Sequence, residues 1–192
     1  MSLAALLARR LCHDFAGPAG AIGTAVDMLG DAPDPELLEL AADSSAALTA
    51  ALELYRYVLT PSAEPLAAAR AKALVSAWLA SRGEVTLDWS DEDAPWPPGF
   101  AALTAGLAMV AAEAAPRGTV LVIEVGNVVA TGTTLPGEVV AALGGELVTT
   151  TRASLAGVLA EQARDAGVVL DTGNADGTAR LTASYQSSRL PR

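Results

Sequence analysis

Residues 9–29 read RRLCHDFAGPAGAIGTAVDML, and the spacing of apolar residues through this stretch decides how the chain begins. Leu3, Leu7, Leu11, Phe15, Ile22, Val26 and Leu29 recur at steps of three or four, with Ala19 filling the one gap. That is the period of a helix with a single apolar stripe. His13, the sole histidine, stands two residues from both Leu11 and Phe15. At about 100° per residue, two steps turn it to the opposite face. Arg9, Arg10, Gly17, Gly20 and Thr24 share that face. An imidazole there, with long basic side chains upstream and small residues downstream, is open to another protein.

Working outward, the first helix is predicted over Ser2–Gly30. Pro18 lies inside it, and a mid-helix proline removes one hydrogen bond and bends the helix. Asp31 to Asp34 form a short connector. Asp34 caps the next helix, with Pro35 at its first position and Glu36 behind it. That helix is predicted over Pro35–Leu59, with Leu37, Leu40, Ser44, Leu48, Ala51, Tyr55 and Val58 as its buried stripe, and Thr60-Pro61 ends it. Two helices of similar length with a tight connector make an antiparallel hairpin. A lone hairpin cannot bury both stripes, but two hairpins paired as a four-helix bundle can. Residues 1–60 are therefore expected to form a homodimer.

The rest of the chain, 61–192, mixes helices and strands. Helices are predicted over Pro65–Ser81, Gly99–Ala115 and Ser154–Ala166, with a helical turn over Glu138–Leu143. Strands are predicted over Val85–Trp89 and Thr119–Val125. Val168–Asp171 and Thr178–Tyr185 read as a hairpin around a six-residue turn. Ser90–Pro98 reads as a loop, Gly126–Gly137 carries no assignment, and Glu146–Thr150 is a strand or an extended connector. The tail from Gln186 is expected to be loose. This mixture indicates an α/β layer sandwich, so the whole chain is of the α+β class.

Composition removes several function classes. The net charge of −10 disfavours nucleic-acid binding, because a phosphate backbone demands cations. One cysteine, Cys12, and one histidine exclude an intrachain disulfide and any Cys- or His-rich metal site within one chain. No stretch approaches about 20 uninterrupted apolar residues, so no membrane span is expected. The N-terminus lacks the pattern of a secretory leader. The expected location is the cytoplasm.

The segment His13-Asp14-Phe15-Ala16-Gly17-Pro18 resembles the histidine motif of two-component sensor kinases. In those kinases the motif lies on the first helix of a dimeric hairpin, followed by an ATP-binding α/β sandwich. The chain is more similar to the histidine phosphotransferase ChpT family. Arg10-Leu11-Cys12-His13-Asp14 with Pro18-Ala19-Gly20-Ala21-Ile22 resembles that family's N-terminal signature. Ala111-Ala112-Glu113-Ala114-Ala115-Pro116-Arg117-Gly118 resembles its later helix-to-strand junction. One departure is Gly17, where the family usually carries serine. A polar residue there can position a water for phosphatase chemistry and glycine cannot, so little intrinsic phosphatase function is expected.

The kinase fold also needs an asparagine-bearing helix for magnesium and phosphates. Gly99–Ala115 occupies that place without an asparagine. An Asp-x-Gly-x-Gly stretch should follow in Val125–Gly137, which has no aspartate. Asp165-Ala-Gly167 and Asp171-Thr-Gly173 come too late and lack the second glycine. The resemblance therefore implies a degenerate histidine-kinase-type ATPase domain that uses no ATP.

The implied activity is phosphoryl transfer between a receiver-domain aspartate and His13, and onward to a response-regulator receiver. Transfer of this kind depends on positioning and charge neutralisation. The receiver would bring magnesium and a lysine, and this chain would bring no cofactor of its own. A histidine of ordinary pKa, near 6.5, is largely neutral at cytoplasmic pH and can attack. Asp14 would orient the imidazole or meet a cation on the partner. Arg9, Arg10, Gly17, Gly20 and Thr24 would receive the partner. Two other classes stay open: a non-catalytic dimeric adaptor or antikinase docking on receivers, and an ATP-dependent histidine kinase.

Overall fold

A computed structural model describes residues 1–29, 34–60, 68–82, 85–90 and 96–185. The first connector, the start of the third helix at Pro65, the stop at Gly83, most of the loop after Ser90 and the tail from Gln186 lie outside the described residues.

Helix α1 (Leu3–Met28) runs through Pro18, and α2 (Pro35–Leu59) matches its predicted bounds. Asp34 caps α2, its carboxylate accepting from the Glu36 N–H at 2.9 Å, with Pro35 at the first turn. The two helices pack along their length as a hairpin. Then follow α3 (Ala68–Ala80), β1 (Val85–Trp89), α4 (Phe100–Ala114), β2 (Thr119–Glu124), β3 (Asn127–Thr131), α5 (Gly137–Leu143), α6 (Ser154–Asp165), β4 (Val168–Ala175) and β5 (Thr178–Tyr185). The five strands form one sheet in the order β1-β2-β3-β5-β4; β1 runs parallel to β2 and the other pairs are antiparallel. The chain is α+β.

Strand β3 lies in the stretch left without assignment. Its signal was short, and Gly126 folds it back on β2 through a two-residue turn, pairing Glu124 with Asn127. The last hairpin is also tighter than predicted. Asp176 and Gly177 both take positive φ, 49° and 69°, as a two-residue primed turn requires, so β4 extends to Ala175. Residues Glu146–Thr150 are an irregular connector. Asn174 ties β4 to the segment before α5, donating to the Leu135 carbonyl and accepting from its N–H, at 3.2 and 3.0 Å.

Helix α4 is apolar all round, and every residue from Phe100 to Ala112 is buried. It packs on β2, β3 and β5 with one side and on α2, α3 and α6 with the other. Leu54, Tyr55 and Val58 of α2 therefore sit in the same core as Leu121, Ile123 and Leu181 of the sheet. Gln162 of α6 fastens this join by donating to the Val58 carbonyl at 3.0 Å. Among the described residues, only one end of the hairpin docks in this way.

This docking corrects the predicted stripes. In α1 the fully buried residues are Leu6, Arg10 and Ala25, while Leu3, Leu7, Leu11, Phe15 and Ile22 are half-buried. Val26 is 55% exposed and Leu40 of α2 is 45% exposed. The docked end of the hairpin faces α4 and α6 as well as its sister helix, which rotates the inward line. Among the described residues, the far end leaves Val26, Met28, Leu38 and Leu40 exposed.

Gly126 takes φ +65°, and a Cβ there would lie 2.6 Å from the Ala183 carbonyl oxygen, a backbone atom. Gly126→Ala should therefore cost about 1–3 kcal/mol, from backbone strain and the clash. The check is the denaturant midpoint of unfolding, which should fall further than in Gly118→Ala, where φ is +82° but a Cβ meets open space, so the difference reads the clash.

Candidate functional site

Arg10 sits one turn before Asp14 on α1, in line with buried Leu6, and its long stem carries the guanidinium under the hairpin. Its side chain is only 7% exposed. Nε donates to the Tyr55 hydroxyl of α2 at 3.0 Å. One Nη donates to the Arg152 carbonyl before α6 at 3.1 Å, and the other pairs with the Glu113 carboxylate of α4. Arg10 thus does not stand on the exposed face predicted for it. It joins both helices of the hairpin to the rest of the chain.

From this centre the bonds run toward His13. Tyr55 donates to Asp14 Oδ2 at 2.6 Å, and Arg10 Nε lies 3.6 Å from the same oxygen. Asp14 Oδ1 lies 3.3 Å from His13 Nδ1. A carboxylate accepts and does not donate, so this arrangement favours a proton on Nδ1 and leaves the Nε2 lone pair free. The His13 side chain is 87% exposed. Asp14 faces the imidazole, and the cation beside it is Arg10 of its own chain rather than one on a partner. Phe15 packs edge-on against the Tyr55 ring at 5.7 Å, which holds the phenol in place.

Burial shapes the charges here. It would lower the Arg10 pKa, but Glu113 and Tyr55 outweigh it, and the guanidinium is held above its ordinary range. Burial pushes the Glu113 carboxyl up, with Arg10 pulling it down. Burial also pushes the Tyr55 hydroxyl above its usual 10.0, opposed by Arg10 and aided by the bond to Asp14, so Tyr55 remains a donor.

The other predicted site residues separate by position. Arg9, Gly17, Gly20 and Thr24 are exposed, as read from the sequence. A Cβ at Gly17 or Gly20 would meet nothing within 4 Å, so neither glycine serves packing among the described residues. Pro18 is half-buried and has no N–H to offer the carbonyl of Asp14 four residues before it.

His13 and Asp14 stand between two clefts. One, of about 390 Å³, is lined by Arg9, Arg82, Glu113 and Arg152 besides them. The other, of about 400 Å³, is lined by Gly17, Pro18, Ala47, Tyr55 and Trp78. Arg82 borders both. Tyr55, Arg82, Glu113 and Arg152 escaped the sequence reading as site residues. Tyr55 read as an ordinary stripe residue and Glu113 as part of a junction motif. Nothing local marks Arg82 or Arg152. Among the described residues, no group of three His, Cys, Asp or Glu side chains could hold a metal ion, and no helix is long and apolar enough to cross a membrane.

With this geometry in view, comparison with known proteins assigns the fold. A solved bacterial phosphotransferase aligns over 95% of this chain and 95% of its own, with a TM-score of 0.77 at 19% sequence identity. The two share a fold. A histidine kinase from Burkholderia phymatum STM815 aligns over 92% of this chain and 99% of its own, with a TM-score of 0.36 and 16% identity, too weak for any argument. No protein-family model and no curated protein matches the chain.

Two outcomes follow from the buried network. Glu113→Gln leaves Arg10 without its counter-charge and should cost about 2–3 kcal/mol, read as a lower denaturant midpoint. The folded chain holds the Tyr55 proton more tightly than the unfolded chain does. The stability this contributes is complete below pH 10 and is lost as pH rises beyond it. Melts between about pH 8 and 11 should show a steep alkaline loss, shallower in Tyr55→Phe, which starts from lower stability at pH 7.

Proposed function

We propose that the chain is a histidine phosphotransferase of a multistep phosphorelay, with His13 as phosphoacceptor. The observation that carries this reading is the state of His13: almost fully exposed, with Nδ1 against Asp14 and Nε2 free toward solvent. The fold shared with a bacterial phosphotransferase supports it. The partner is a receiver domain whose aspartyl phosphate meets Nε2 in line. The N–P bond forms as the P–O bond to the aspartate breaks, the electron pair leaving on the carboxylate. The Nδ1 proton is then shed toward Asp14 and water. Reversal onto a second receiver's aspartate completes the relay. Magnesium belongs to the receiver.

Arg9, Gly17, Gly20 and Thr24 form the landing face for the receiver. Glycine inside a helix costs about 1 kcal/mol relative to alanine, and neither Gly17 nor Gly20 offsets this by packing among the described residues. Close approach of a partner helix is their use. The second half of the chain serves as a degenerate ATPase domain without ATP chemistry. Helix α4 carries no asparagine, and one of the chain's two asparagines, Asn174, is taken up by Leu135. The far end of the hairpin exposes Val26, Met28, Leu38 and Leu40. A second copy of the chain covers them in a four-helix bundle. The site of action is the cytoplasm.

The test is transfer from a labelled, phosphorylated receiver with ATP removed. Wild type should gain an acid-labile, base-stable label, and His13→Gln should gain none. Receiver binding without transfer, equal in wild type and His13→Gln, would instead make the chain an adaptor. Equilibrium sedimentation should give twice the chain mass, and Val26→Glu with Leu40→Glu should give a single chain.

A further inference from the structure

The cleft on the Arg82 side of His13 gathers charge against the character of the chain. The whole sequence carries a net charge of −10, yet this cleft is lined by Arg9, Arg10, Arg82 and Arg152 against two carboxylates, Asp14 and Glu113. Arg10 and Glu113 satisfy each other. Arg9, Arg82 and Arg152 have no carboxylate within ion-pair distance among the described residues. They come from α1, from the turn after α3 and from the segment before α6, so folding alone brings them together. Two are held in place. The Arg82 guanidinium lies 4.9 Å over the ring of buried Trp78. The backbone of Arg152 is fixed by the bond from Arg10 to its carbonyl. Glu113 feels Arg82 as well as Arg10, but four guanidiniums facing two carboxylates leave the cleft with an excess of positive charge that an anion would neutralise, and planar guanidiniums suit phosphoryl oxygens.

We infer that Arg9, Arg82 and Arg152 form a clamp for the phosphoryl dianion once it is on His13. This rests on His13 as the phosphoacceptor, and it adds that the acceptor site is completed by the half of the chain after the hairpin. The clamp neutralises the oxygens of the phosphoryl group while Nε2 holds phosphorus. It speeds arrival of the group and favours its fully ionised form.

The clamp is tested without any receiver, so its failure is separable from failure of the relay. Phosphoramidate serves as donor to the full-length chain. The Nε2 lone pair forms the new N–P bond, the donor's P–N bond breaks with its electron pair on nitrogen, and the released ammonia takes up the proton shed from Nδ1. Label uptake should fall about tenfold in Arg82→Ala and in Arg152→Ala, one charge-assisted hydrogen bond's worth in each. Arg82→Lys should recover part of it. Arg164→Ala, outside this cleft, should react like wild type. In ³¹P spectra the phosphohistidine of the alanine variants should take up its phosphoryl proton at higher pH than wild type, a shift that loss of packing would not produce. Wild-type uptake and an unchanged ³¹P titration in the Arg82→Ala, Arg152→Ala double variant would overturn the clamp. So would a wild-type His13 that phosphoramidate labels no faster than free imidazole. If phosphoramidate labels His13 as expected while no receiver does, the clamp stands and the relay reading falls.

Discussion

One buried guanidinium organises this molecule. Arg10 is taken out of water at the junction of α1, α2, α4 and the segment before α6. A buried cation is tolerated when its donors are met, and here Tyr55, Glu113 and the Arg152 carbonyl meet them. The same bonds decide geometry. They tie the hairpin to the sheet domain, and through Tyr55 they hold Asp14, which in turn faces His13. An interaction that joins the two halves of the chain is thus also the one that holds Asp14 against His13.

That arrangement divides labour between rigidity and access. Behind His13 lies a packed network of Tyr55, Phe15 and Arg10. In front of it lie open solvent, two clefts and a helix face cleared of side chains at Gly17 and Gly20. The phosphoryl exchange proposed for His13 needs both: a fixed attacking atom, because misplacement is costly, and an unobstructed approach. The two stretches that carry the family resemblance also meet here. Arg10 belongs to the first and Glu113 to the second, and they form an ion pair.

Legibility in the sequence followed signal length. The two hairpin helices, α4 and α6 were readable because each carries a long periodic or continuous apolar run, and α2 matches residue for residue. Strand β3 was not, because five residues between glycines carry too little pattern, and its pairing with β2 and β5 is what makes it a strand. The final hairpin was found but its turn was misread, because polar Thr172 to Asn174 resemble a loop until β5 pairs with them.

The sequence by itself determined that His13 lies off the apolar face of a long helix, next to an acid and a run of small residues, since helical periodicity is local. It also determined the class of fold and the hairpin's cap at Asp34. Tertiary structure decided what local pattern cannot carry. It turned Arg10 inward, because an arginine reads as solvated until a carboxylate and a phenol from other helices come within reach. It brought Arg82 and Arg152 beside His13 from distant segments. It left Val26 and Leu40 bare, because how far a stripe is covered depends on where the neighbouring helices end.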